Sequence, residues 1–206
     1  RKKYIKYFDI NKKKVKDKKT ILDTSPRVIL VQNVGLFSVG DSLDAAKIAG
    51  DLTETNARVI SSVEETSKYK FIPEKDLFDV EYWSLEQAKI KKAKKTLQGN
   101  VVVITGSFGA IGSATYKLFK SYGTEVVLLD YNLQKVNEMK SKVEELCLHC
   151  DVTNIKSVKK AFKIITETYG GIDILISNAG TAIGGSIAEV DDKILRRSFE
   201  DNFFSH

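Results

Sequence analysis

Val101-Val-Val-Ile-Thr-Gly-Ser-Phe-Gly-Ala-Ile-Gly112 is an apolar run of strand type that stops in a glycine-rich turn. Helix-compatible residues, Ser113-Ala-Thr-Tyr-Lys-Leu-Phe119, follow at once. Strand, glycine turn and helix in immediate succession set unpaired backbone N–H groups and a positive helix end where a pyrophosphate can sit. Eighteen residues after Gly112 a second apolar run, Glu125-Val-Val-Leu-Leu-Asp130, ends in an acid. A carboxylate there can accept hydrogen bonds from both hydroxyls of an adenosine ribose. The glycines alone carry little. With the flanking strand and helix and with Asp130, they point to a bound dinucleotide.

Outward from this stretch the pattern is regular. From residue 100 onward the spacing predicts strands near 101–105, 125–130, 146–150 and 172–177, and helices near 111–121, 132–145, 154–169 and 191–205. Such alternation calls for a parallel sheet with helices on both faces. An uncovered apolar edge is expected at Ile172-Asp-Ile-Leu-Ile176. Residues 25–98 read as a mixed α/β segment. It has a strand at 27–31, a turn around Phe37 bracketed by Gly35 and Gly40, and helical spacing from about Leu43 to Thr66. Asp41-Ser-Leu-Asp44 supplies helix-start chemistry. A lysine-rich helix over 85–96 leads to Gly99.

The chain has 206 residues, enough for one or two domains with real cores. No apolar run approaches the ~20 residues that span a bilayer, and no membrane partner is expected. Of the net charge of +6, residues 1–20 hold ten Lys/Arg against two Asp, leaving the remainder slightly acidic. No glycine-arginine or aromatic-basic platform accompanies this basic arm. Residues 1–24 therefore read as a solvated linker, with no nucleic acid as partner. Cys147 and Cys150 form a C-x-x-C, but strand alternation points them to opposite faces, and no metal site is expected. His149 and His206 are the only histidines and lack ligand partners at useful spacing. Scarce cysteine and a nucleotide cofactor agree with a reducing cytoplasm. Met139 is the only methionine, and His206 falls inside a predicted helix, so the chain reads as an internal piece of a longer polypeptide.

Residues 100–206 resemble the N-terminal half of a short-chain dehydrogenase/reductase. Thr105-Gly106-Ser107-Phe108-Gly109-Ala110-Ile111-Gly112 resembles the family's T-G-x-x-x-G-x-G turn, with Ala110 where the middle glycine usually stands and Gly109 beside it to share the conformational burden. Cys150-Asp151-Val152-Thr153 resembles the D-V-T element, whose aspartate meets the adenine ring. Ser177-Asn178-Ala179-Gly180 resembles the N-A-G turn beneath the cofactor, and Ser198-Phe-Glu-Asp-Asn202-Phe-Phe the helix bearing the catalytic asparagine, here Asn202. The segment before it, with Pro26-Arg-Val-Ile-Leu-Val31, Gly35-Leu-Phe-Ser-Val-Gly40 and Phe78-Asp-Val-Glu-Tyr-Trp83, is similar to the connecting region of bifunctional class II aldolase/short-chain dehydrogenases of the rhamnulose-1-phosphate aldolase/alcohol dehydrogenase type.

The resemblance implies a Rossmann-type doubly wound parallel sheet, N-terminal half only, over 99–206, preceded by a small mixed α/β connecting segment over 25–98 and the linker 1–24. It implies cofactor contacts from Gly106, Ser107, Gly109, Ala110, Ile111, Gly112, Asp130, Tyr131, Asp151, Val152, Asn178, Ala179 and Gly180. NAD is the expected cofactor, because Asp130 repels a 2′-phosphate and neither Ser107 nor Tyr131 is replaced by a cation. The implied activity is hydride transfer to or from a small alcohol or aldehyde, such as lactaldehyde or a sugar derivative, in a homo-oligomer. The family's serine and Tyr-x-x-x-Lys pair lie beyond Asn202, so residues 1–206 are not expected to turn over alone. The alternative is a non-catalytic dinucleotide-binding sensor or scaffold. Two internal Tyr-x-x-x-Lys spacings, Tyr116/Lys120 and Tyr131/Lys135, stand outside the family's position and read as surface or packing residues. Glu81, Tyr82 and Trp83 read as an interdomain packing strip.

Overall fold

The computed structural model describes residues 1–85, 88, 95–186 and 188–206. The chain divides into two compact units, Arg1–Lys94 and Lys95–His206. Most of the expected lysine-rich helix over 85–96 lies outside the described residues.

The second unit carries four parallel strands: β3 (Val101–Thr105), β4 (Glu125–Asp130), β5 (Leu146–His149) and β6 (Ile174–Ile176), in the order β5-β4-β3-β6. Val102 pairs with Val126 on one side and with Ile174 on the other. Every residue of β3 is buried, as a near-continuous Val/Ile run requires of a strand covered on both faces. The helices between the strands are α4 (Ala110–Ser121), α5 (Leu133–Lys140) and α6 (Ile155–Tyr169), and α7 (Asp192–Phe199) follows β6. On one face Val101, Val103, Val127 and Leu129 pack with Ala161 and Ile165 of α6. On the other, Val102, Ile104, Val126 and Leu128 pack with Val136 of α5 and with Tyr116 and Phe119 of α4. Cys150 belongs to the first cluster and Cys147 to the second, so the two thiols sit on opposite faces of the sheet, both free and buried.

Three boundaries differ from the sequence pattern, each for a local reason. Helix α5 ends at Lys140 rather than near 145, because Ser141 Oγ turns back onto the Glu138 carbonyl at 2.8 Å and Val143 must enter the core before β5 begins. The fourth strand starts at Ile174, since Asp173 spends its carboxylate on the Val101 N–H at 2.7 Å. The last helix becomes a π-helical turn over Glu200–Phe204, where Asn202 turns its amide toward the chain after β6.

The first unit departs further. Residues 2–11, expected as part of a solvated linker, form helix α1 (Lys2–Asn11). Tyr4, Tyr7, Phe8 and Asn11 recur at helical spacing between the lysines, and this stripe is buried or half-buried. Phe8 packs on Phe78 and Tyr82 of a core that also gathers Val15, Ile21 and Leu22, so the rest of the basic stretch is tied down too. Phe78 and Tyr82 stack at 4.6 Å between centroids. The Tyr82 hydroxyl meets that of Tyr4 at 2.7 Å and accepts the Leu22 N–H at 3.3 Å. Glu81 closes α3 (Glu74–Glu81) and accepts from the Tyr4 and Tyr7 hydroxyls. Glu81 and Tyr82 therefore serve the unit's own core, while Trp83 is 51% exposed. Phe37, expected in a turn, lies on β2 (Gly35–Ser38), paired antiparallel with β1 (Val28–Val31). The turn itself runs through Asn33, whose φ of +62° explains the asparagine. Helix α2 spans Leu43–Thr66, capped by the Ser42 side chain on the Ala45 N–H.

Replacing Phe78 by alanine is expected to cost about 3–5 kcal/mol and to release α1. Limited proteolysis at the lysines of α1 is the check: cleavage should become rapid in the variant and stay slow in the parent.

Candidate functional site: a cleft at the carboxyl ends of the strands

From β3 the chain moves outward to β4 and β5, then crosses back to lay β6 on the other side of β3. A ligand crevice is expected at the carboxyl ends of the strands where the strand order reverses. A cleft of about 520 Å³ opens at that place, within the usual range for small-molecule sites.

Its floor is the turn after β3. Gly106 takes φ +60°, and a Cβ there would lie 2.9 Å from Ala179 Cα. This turn presses directly onto the one after β6. Thr105 Oγ1 accepts the N–H groups of Asn178 and Ala179, both at 2.9 Å, and Asn178 Nδ2 donates to the Thr105 carbonyl at 2.9 Å. A Cβ on Gly112 would stand 2.3 Å from the Gly106 carbonyl oxygen, so the helix can begin this close to the turn only with glycine there. Gly109 does not share that burden: its φ is −75°, and an added Cβ would make ordinary contact at 3.4 Å.

Asp130 closes the turn from β4. Its Oδ2 accepts the Phe108 N–H at 3.0 Å and its Oδ1 the Asn132 N–H at 2.9 Å. A carboxylate has about four lone-pair positions, so two remain for ligand hydroxyls. Asp151 Oδ1 is committed to Thr153, to its N–H at 3.0 Å and its hydroxyl at 2.7 Å.

Gly106, Gly109, Ala110, Ile111 and Gly112 line the cleft, with Asp130 and Tyr131, Asp151 and Val152, and Asn178, Ala179 and Gly180. Two expected residues stand apart from this lining. Ser107 is buried, its N–H and hydroxyl both donating to the Leu129 carbonyl at 3.1 Å; it anchors the turn to β4. Asn202 holds the chain after β6: Oδ1 accepts the Thr181 N–H at 3.0 Å, and Nδ2 donates at 2.8 Å to the carbonyls of Thr181 and Ser198. A Cβ on Gly180 would lie 2.6 Å from Asn202 Oδ1.

Sequence reasoning missed several lining residues, notably Lys135, Thr181, Arg197 and Asp201. Arg197 Nε forms an ion pair with Asp201 Oδ1 at 2.9 Å, and the Thr181 hydroxyl donates to Asp201 Oδ2 at 3.0 Å. Contact with the Asp201 carboxylate, and its charge, raise the Arg197 guanidinium above its ordinary range. The i, i+4 spacing of Arg197 and Asp201 was a visible signal, but it looks the same as that of Arg196 and Asp192, an exposed surface pair.

The internal Tyr-x-x-x-Lys spacings separate. Burial, then a hydrogen bond to Glu145, push the Tyr116 phenol up to about 12, whereas proton transfer near neutral pH needs a phenol pulled down. Lys120 pairs with the same Glu145, so this pair is structural. Tyr131 and Lys135 instead line the cleft on the Asp130 side.

Fold and cleft define a doubly wound α/β nucleotide-binding unit. The family model described as short chain dehydrogenase matches residues 100–206, and that described as aldolase class II, second domain, matches residues 1–90. The chain belongs to the short-chain dehydrogenase family, joined to a class II aldolase second-domain segment as in bifunctional aldolase/dehydrogenases. It is similar to the uncharacterized oxidoreductase YuxG of Bacillus subtilis (strain 168), at 31% identity over 92% of this chain and 28% of the relative. Short-chain dehydrogenase reductase 3b of Arabidopsis thaliana is 38% identical over 42% of this chain and 35% of the relative. The chain thus spans about a third or less of these relatives' length. Among solved structures, a short chain dehydrogenase from Mycobacterium smegmatis aligns with a TM-score of 0.48 at 26% identity, covering 52% of this chain and 46% of that one. Among the described residues, no helix is long and apolar enough to cross a membrane.

Proposed function

We propose that residues 95–206 form the cofactor-binding half of an NAD-dependent oxidoreductase acting on a small alcohol or aldehyde. The observation that carries this reading is the meeting of the glycine turn with Asp130, joined by the Phe108 N–H at 3.0 Å and opening into one cleft. When bound, the nicotinamide group supplies or accepts the hydride.

This chain's own residues bind and orient. The first N–H groups of α4, at Ala110, Ile111 and Gly112, lack intrahelical partners and suit a pyrophosphate. The close approach of Gly112 to Gly106 leaves room for it. Asp130 accepts the ribose hydroxyls, and its charge disfavours a 2′-phosphate, which supports NAD over NADP. Asp151 and Val152 border the adenine side; Asn178, Ala179 and Gly180 pass beneath the nicotinamide side. Asn202, by clamping Thr181, fixes the backbone on which that side rests, and it is the residue assigned to the family's asparagine role. The substrate class extends to sugar-derived hydroxyaldehydes such as lactaldehyde, the setting to a bifunctional aldolase/dehydrogenase, the assembly to a homo-oligomer and the location to the cytoplasm.

The test is NAD reduction by the longer protein carrying this segment, offered lactaldehyde-sized hydroxyl compounds. Turnover that depends on NAD is the expected result. Tight NAD binding without turnover of any small alcohol or aldehyde would favour a sensor or scaffold and remove the oxidoreductase reading.

A further inference from the structure

The two arginines at the end of α7 share a spacing, but their partners differ in burial. Arg196 pairs with Asp192, and both side chains are more than two-thirds exposed. Arg197 pairs with Asp201, which is 8% exposed and receives the Thr181 hydroxyl on its other oxygen. A buried carboxylate, itself fixed to the chain after β6, thus pairs with Arg197 Nε at 2.9 Å. More than half of the Arg197 side chain stays exposed beside the cleft, with donors beyond Nε to spare. Arg197 lines the cleft, and Asp151 and Tyr131 act on its charge, which sets it beside the residues assigned to the adenine.

We infer that Arg197 is a cofactor-binding residue whose guanidinium plane, held by Asp201, closes over the adenine ring. The inference rests on the dinucleotide reading given above and adds to it a contact from α7. A planar, weakly hydrated cation stacks on an aromatic face in a way that an ammonium does not. Asp201 acts as the positioning residue. It fixes one edge of the guanidinium and so lowers the rotamer entropy lost when the ring arrives. Adenine held between Val152 and Arg197 is recognised by shape and π-face, so the contact serves free adenosine as well as the whole dinucleotide.

Calorimetric titration of the chain with adenosine, ADP and NAD tests this, using the parent, Arg197→Ala, Arg197→Lys and Asp201→Asn. The alanine variant should bind all three about tenfold more weakly, the range of a desolvated cation–π contact. Arg197→Lys, which keeps the charge and loses the plane, should recover little of the adenosine affinity and also covers the case in which the alanine variant folds poorly. Asp201→Asn should show a smaller loss for adenosine, with its unliganded melting temperature marking any general loosening. Weaker ADP and NAD binding with unchanged adenosine binding would make Arg197 a phosphate ligand and overturn the inference. Full rescue by lysine would overturn it too, as would equal adenosine affinity in parent and alanine variant. A parent that binds neither adenosine nor NAD would instead strike the underlying dinucleotide reading.

Discussion

Gly112→Ala is expected to abolish the proposed dinucleotide binding and to destabilise the second unit by about 3 kcal/mol, at the upper end of what overpacking costs. The added methyl would stand 2.3 Å from the Gly106 carbonyl oxygen and 2.7 Å from Ser107 Cα. Both neighbours are backbone, so no side chain can swing aside. Gly106 cannot retreat either, because its own missing Cβ already faces Ala179 Cα at 2.9 Å. Relief requires α4 to move away from the turn, which withdraws its first N–H groups from the pyrophosphate position. Gly109→Ala is the matched control: its φ is ordinary, the new contact is 3.4 Å, and stability should change by less than about 0.5 kcal/mol. Thermal melts and NAD titrations of the two variants check the contrast. Equal behaviour would show that the described packing of the turn is wrong.

Asp130→Ala is expected to weaken the proposed NAD binding about 100-fold, a loss of roughly 3 kcal/mol composed of charge-assisted hydrogen bonds to ribose and turn. The carboxylate holds the N–H groups of Phe108 and Asn132 as well as facing the cleft, so removing it loosens the cradle as it deletes the ligand contact. Asp130→Asn separates these roles. The amide retains one acceptor oxygen but no charge, so NAD should weaken by only about tenfold while NADP binds better than to the parent. Competition titrations with the two dinucleotides measure this. An unchanged ratio between them in Asp130→Asn would mean that the carboxylate does not set the cofactor preference.

How much of this was legible beforehand follows the physics of each element. Strands β3 and β4 match their expected limits because a doubly covered strand reads as a near-continuous apolar run, and polar and turn residues bound such a run sharply. Helix α2 was equally clear, with a long periodic run and a serine cap. Helix α1 was hidden because lysine dominates its composition; only the Tyr4, Tyr7, Phe8 and Asn11 stripe reveals its buried side, and its partners Phe78 and Tyr82 lie some seventy residues away. Nearly all the expected cleft residues line one cleft, since motifs at the carboxyl ends of adjacent parallel strands are brought together by topology. Ser107 turned inward because its hydroxyl found the Leu129 carbonyl. Arg197 and Asp201 went unread because local spacing cannot distinguish a pair with a buried carboxylate from one solvated on both sides.

The most direct test of the account is amide hydrogen exchange on the folded chain with and without saturating NAD. The account predicts saturable binding, with slowed exchange concentrated at residues 106–113, 130–132, 151–153 and 178–181. A folded sample in which NAD slows none of these amides would contradict it.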